Sequence, residues 1–93
     1  MLNESEIAAR LAALNGWERL GNAIVKRYQF ANYHETMAFV NAVAWIAHRC
    51  DHHPDLEVGF NHCRVSFTTH SAGGLTEKDF TAAARIEALF FAP

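Results

Sequence analysis

The chain has no surplus of positive charge. Eight lysines and arginines stand against ten aspartates and glutamates, a net charge of −2, and the basic residues are scattered rather than clustered. Without a basic stripe to neutralise phosphates, direct binding of nucleic acid is excluded. Long apolar runs are also missing, since nothing approaches the roughly 18 consecutive apolar residues that a membrane-crossing helix needs. The amino terminus, MLNESEIAARL, carries acids where a signal peptide would carry a basic segment and then an apolar run. Cysteine is scarce. Cys50 and Cys63 could pair in principle, but nothing in the sequence points to secretion, so both are expected as reduced thiols in a cytoplasmic protein. There is no repeat, low-complexity tract or linker, so residues 1–93 read as a single domain.

What the chain does have is apolar content, 51% of its 93 residues. A chain this short buries only about two-thirds of its unfolded surface, so the excess points to an oligomer. Asn3-x-x-Glu6 reads as a capping box for a first helix with Ile7, Leu11 and Leu14 at helical spacing, ended by Asn15-Gly16. A strand from about Trp17, a Gly21-Asn22 turn and the strand AIVKRYQF read as a hairpin. In the second strand Ile24, Tyr28 and Phe30 share a face that Lys26 interrupts. Residues 33–49 read as a helix with two apolar stripes. Tyr33, Met37, Val40 and Ala44 are expected to cover the chain's own sheet. Phe39, Val43, Ile46 and Cys50 are then left with nothing in a monomer to bury them.

Two short strands follow, about 55–60 and 63–69, with a turn at Asn61-His62. Thr76-x-x-Asp79 is a second capping box, opening a last helix whose inner stripe runs Asp79, Ala83, Ile86, Phe90. The expected fold is α+β, a four-stranded antiparallel sheet with three helices packed on one face, in the order α-β-β-α-β-β-α. The surplus stripe of the second helix predicts a homotetramer (a dimer of dimers) or a homodimer. An open edge strand carrying Val65 and Phe67 is expected to supply a second contact.

All six histidines fall between positions 34 and 70. A metal site is disfavoured, because adjacent His52 and His53 cannot readily aim both rings at one ion on extended backbone, and no C-x-x-C spacing is present. The thiols sit on apolar faces, where cysteine behaves as a small hydrophobe. His34 and His62 read as surface rings. His52, His53 and His70 differ. The first two occupy a helix-to-strand junction stiffened by Pro54, and His70 sits where the fourth strand ends. Antiparallel pairing of the last two strands brings the three imidazoles together, as proton transfer near neutral pH would require.

With these residues in view, the sequence resembles the pterin-4a-carbinolamine dehydratase family, known in animals also as a dimerisation cofactor of a homeodomain transcription factor. His48, His52-His53-Pro54, Phe60, His70 and Asp79 fall in the family's register, and TTHSAGGLTEKD resembles its next segment. The likeness covers about residues 24 to 90. His48 stands where the family commonly has Glu, and Leu56 where it has Trp. The resemblance implies elimination of water from a 4a-hydroxy-tetrahydropterin to give the quinonoid dihydropterin, with no metal and no organic cofactor. It implies His52 and His70 as the acid–base pair and His53 as a residue that holds the pterin. Asp51, Pro54, Thr68, Thr69 and Ser71 are near enough to line the site. Asp79 is expected either to serve only as a cap or to orient a histidine as well. A pterin-dependent hydroxylase is the implied client. The alternative is a non-catalytic pterin-binding or protein-interaction module.

Overall fold

In a computed structural model, which describes residues 1–90, the first helix, α1 (Glu4–Ala12), forms on its own cap. Asn3 Oδ1 accepts the Glu6 N–H at 2.8 Å, and Glu6 Oε1 accepts the Asn3 N–H at 2.9 Å. Next come β1 (Glu18–Leu20), β2 (Ala23–Gln29), α2 (Tyr33–Cys50), β3 (Asp55–Val58) and β4 (His62–Phe67). A 3-10 turn over His70–Ala72 leads to α3 (Glu77–Glu87) and a final 3-10 turn, Ala88–Phe90. The sheet is antiparallel throughout, in the order β1-β2-β4-β3.

Strand alternation sorts the two faces. Ile24, Tyr28, Cys63, Val65 and Phe67 are buried against helical Ile7, Phe39, Val43, Phe80, Ala83 and Ile86. The opposite face carries Glu18, Arg27, Arg64, Asp55 and Glu57. The helices therefore lie on one face, as the alternation of β4 predicts.

Lys26 lies on the buried side of β2 because it has a partner there. Glu87 accepts from Lys26 Nζ at 2.9 Å, from Trp17 Nε1 at 3.3 Å and from the Tyr28 hydroxyl. Burial alone would raise the Glu87 carboxyl, but the Tyr28 and Lys26 hydrogen bonds outweigh it and hold the group below its ordinary value. Tyr28 is pushed far up, first by burial and then by that carboxylate.

Three expectations are corrected. The stripe of α2 that covers the sheet is Thr36, Phe39, Val43 and Ala47, not the stripe through Tyr33, which is 52% exposed. Thr36 decides this, since its hydroxyl can donate to Asn32 O or Phe60 O, each 3.0 Å away, and so can be buried despite being polar. The last hairpin turns at residues 59–61, which puts His62 inside β4 opposite Gln29. The His62 ring lies over Gly59, where a Cβ would collide with it. Finally, Val65 and Phe67 are fully buried in an interior strand, so they offer no edge. Phe90 lies beyond α3, 53% exposed and stacked on Tyr28 at 5.3 Å.

Candidate active site

One end of the sheet collects the residues that the sequence singles out, and the exit from α2 delivers the first of them. Asp51 takes the left-handed conformation (φ 50, ψ 43). Its N–H donates to His48 O at 3.3 Å, and the His52 N–H reaches back to Ala47 O at 3.1 Å. This is the Schellman pattern with aspartate where glycine is usual, a residue that tolerates the conformation at a cost of order 1 kcal/mol. The chain is thereby turned off the helix directly into His52, and Pro54 then holds His53 in extended geometry before β3 begins.

From the other side, β4 runs on to Thr69, which bridges Gly74 across the short 3-10 turn. Thr76 then caps α3 and places Asp79 in its first turn, pointing inward. Asp79 is fully buried. Its Oδ2 accepts from the Thr69 hydroxyl at 2.7 Å and the Thr76 N–H at 2.9 Å, and its Oδ1 lies 2.6 Å from His52 Nε2. Thr69 Oγ1 and Thr76 Oγ1 are 2.7 Å apart. Because Thr69 gives its proton to Asp79, Thr76 donates to Thr69.

An ionised carboxylate only accepts. Facing Asp79, His52 therefore carries its proton on Nε2 and leaves Nδ1 as the nitrogen able to take one. The ring stacks on Phe67 (5.6 Å, interplanar 12°) and its side chain is 12% exposed. A buried acid thus fixes the tautomer and orientation of an imidazole that still reaches solvent. That arrangement suits a general base whose charge is stabilised once it is protonated.

Of the candidate residues, His52, Thr69 and Asp79 are brought into one bonded cluster. His53 and His70 stand exposed at the same end, and neither makes a side-chain hydrogen bond among the described residues. Asp51 is exposed and Pro54 half-buried. Thr68 faces away, its hydroxyl donating to Asn22 O at 2.5 Å. Ser71 lines a cleft of about 430 Å³ with Thr69, Thr76 and Lys78, walled on its far side by Met1 and Leu2. That wall is held by the Leu2 N–H, which donates to Leu75 O at 2.9 Å, and no sequence pattern announces it. Thr76 and Phe67 are the other supporting residues that sequence reasoning did not assign to the site. Continuing the pairing of Asp55 with Ser66 sets Pro54 beside Phe67 and His52 beside Thr69, which brings His52 within reach of the Phe67 ring.

His48 stands away from the cluster on the outer side of α2, its ring 5.7 Å from that of Trp45. Among the described residues no three His, Cys, Asp or Glu side chains are grouped to hold an ion. Burial pushes the Cys63 thiol up, which keeps it protonated rather than nucleophilic.

Comparison with known proteins gives a consistent set of likenesses. A family model described as "Pterin 4 alpha carbinolamine dehydratase" matches residues 1–89. A Nitrosospira multiformis protein is 56% identical over 89 residues, spanning 96% of this chain and 79% of its own. One from Chromobacterium violaceum is 54% identical over 92 residues, 99% of this chain and 85% of its own. Both carry the name "Putative pterin-4-alpha-carbinolamine dehydratase". A solved structure from Brucella melitensis, described as a transcriptional coactivator/pterin dehydratase, superposes with a TM-score of 0.90 at 33% identity over 95% of this chain and 96% of that one. A pterin dehydratase-like protein described as a RuBisCO assembly factor in the alpha-carboxysome shares the fold alone, with a TM-score of 0.71 at 24% identity over 85% of this chain and 94% of that one.

Proposed function

The chain belongs to the pterin 4 alpha carbinolamine dehydratase family, and from that premise we propose that it eliminates water from a 4a-hydroxy-tetrahydropterin. The C4a–O bond breaks, N5 loses its proton, and a C4a=N5 double bond forms in the quinonoid dihydropterin. Hydroxide leaves poorly until it is protonated, so the reaction needs an acid at the oxygen and a base at N5. His52 is the base, taking the N5 proton on Nδ1 while Asp79 holds Nε2–H and stabilises the resulting cation. His70 is the acid that protonates the departing hydroxyl. His53, with Pro54, holds the pterin ring, and Thr69, Ser71 and Asp51 border it. The observation that carries this reading is the 2.6 Å pairing of His52 with a fully buried carboxylate.

The test generates 4a-hydroxy-tetrahydropterin enzymatically and follows its decay by ultraviolet absorbance. His52→Ala and His70→Ala should each slow turnover at least about tenfold, the low end of what a positioned acid or base contributes. Wild-type rates in either folded variant would remove that residue from the mechanism. A wild-type protein that binds the pterin without hastening its decay would favour the alternative, a non-catalytic binding module.

The same proposal includes recycling of the pterin for a pterin-dependent hydroxylase in the cytoplasm, and a homotetrameric or homodimeric enzyme. Support for assembly comes from the exposed aromatics of α2, Tyr33 and Trp45, which are 52% and 61% exposed.

A further inference from the structure

Four of the eight lysines and arginines are matched with carboxylates: Arg10 with Glu77, Arg19 with Glu4, Lys26 with Glu87 and Arg64 with Glu57. Arg27 bonds Gln29 on the open face of the sheet. The three that remain are Arg49, Lys78 and Arg85, and none has a carboxylate partner among the described residues. All three line one cleft of about 270 Å³ between the end of α2 and the outer side of α3, together with Cys50, Glu77 and Thr81.

Helix electrostatics do not account for the grouping. Arg49 and Arg85 occupy last turns, where a cation suits the helix dipole, but Lys78 sits in the first turn of α3, where it opposes the dipole. Two of the cations are also held. Arg85 Nη1 lies 3.5 Å from Cys50 Sγ, and the Arg49 guanidinium lies over the Trp45 ring at 6.0 Å. The cleft's one carboxylate, Glu77, is engaged by Arg10. In a chain whose net charge is −2, three unmatched cations at one cleft concentrate positive potential, and guanidinium forks suit carboxylate and phosphate oxygens.

The cleft adjoins the candidate active site. Cys50 immediately precedes Asp51-His52, and Lys78 immediately precedes Asp79. Glu77 and Lys78 also line the cleft beside Thr69 and Ser71. In a pterin, C6 is bonded to N5, so a substituent at C6 leaves the ring next to the atom that gives up its proton. We infer that the Arg49–Lys78–Arg85 cleft is an anion subsite that takes a carboxylate or phosphate carried on the C6 substituent of the pterin. The inference rests on the dehydratase reading and adds to it a preference for negatively charged substrates. A neutral substituent gains nothing there, whereas an anionic one gains charge-assisted hydrogen bonds.

Fluorescence titration with three pterins tests it: 6-hydroxymethylpterin, its phosphate ester and pterin-6-carboxylate. The expected result is binding of at least one anionic pterin about tenfold more tightly than the neutral one, with the ratio falling toward one in about 0.5 M KCl. The two anionic arms tell which group the cleft takes. In the triple variant Arg49→Gln, Lys78→Gln, Arg85→Gln the three affinities should converge. If that protein does not fold, Lys78→Gln alone should cut the ratio about two- to threefold. Equal affinities in the wild type, or a ratio that survives these substitutions, would overturn the subsite while leaving the dehydratase reading standing. Failure of all three pterins to bind would sink that reading and the subsite with it.

Discussion

Asp79 carries two duties on one carboxylate. It completes the cap of α3 by accepting the Thr76 N–H, and it orients His52. Asparagine cannot do both. If its carbonyl faces Thr69 and Thr76, its amide donates to His52 and forces the imidazole proton onto Nδ1, the nitrogen proposed as the base. If it is flipped, its NH2 opposes the Thr76 N–H. Asp79→Asn should therefore lower kcat by about 10²- to 10⁴-fold with KM changed far less. A purely structural Asp79 would instead give a protein of reduced stability and normal kcat, so steady-state kinetics beside a thermal melt separates the two. Of this cluster, His52 and Asp79 were legible from the pattern His52-His53-Pro54, His70, Asp79. Thr68 was counted with Thr69 for its nearness in sequence, but the alternation of Cys63, Val65 and Phe67 turns only Thr69 inward, and its burial and the bond from Thr68 to Asn22 O agree.

Among the elements, those closed by short-range bonds matched expectation best. Both capping boxes form as Asn3/Glu6 and Thr76/Asp79 foretell, since each involves residues three apart. What depended on distant partners was misjudged. The inner stripe of α2 turns on Thr36 finding Phe60 O, 24 positions away, and Lys26 looked like an interruption because its acceptor is 61 positions away on α3. That half-buried pair yields a prediction. Glu87 is held below its ordinary value, so its contribution to stability is full above about pH 4.5 and is lost as pH falls through its lower value in the folded protein. Glu87→Gln should cost about 2–3 kcal/mol at pH 7, a Tm drop on the order of 10 °C. The gap to wild type should narrow in melts near pH 3. A constant gap across that range would mean that the carboxylate charge contributes nothing.

Taken whole, the molecule leaves apolar surface on α2 that its own sheet does not use. Tyr33 and Phe60 are 52% and 66% exposed and stack at 6.3 Å, and Trp45 is 61% exposed. Beside them a groove of about 400 Å³ runs over Ala38, Phe39, Ala42 and Leu89. The substitution that tests assembly therefore belongs at Trp45, since Val43 is 1% exposed and a charge there would unfold the monomer. Light scattering should give a dimer or tetramer for the wild type and a smaller mass for Trp45→Glu at unchanged circular dichroism. A monomeric wild type would refute assembly through α2, as would a Trp45→Glu protein of undiminished mass.

The carboxylates of Asp79, fully buried, and Glu87, half-buried, close circuits of very different length. Asp79 meets its partners 3, 10 and 27 positions away, so the candidate cluster is a nearly self-contained loop of the chain. Glu87 meets Trp17, Lys26 and Tyr28 at separations of 70, 61 and 59, tying the last helix to the first hairpin. Loosening that long tie leaves every short closure around Asp79 intact. Robustness and reactivity are thus wired separately. The Glu87→Gln protein, measured well below its melting point, should turn over substrate at close to the normal rate, and the Asp79→Asn protein should survive heating better than it catalyses.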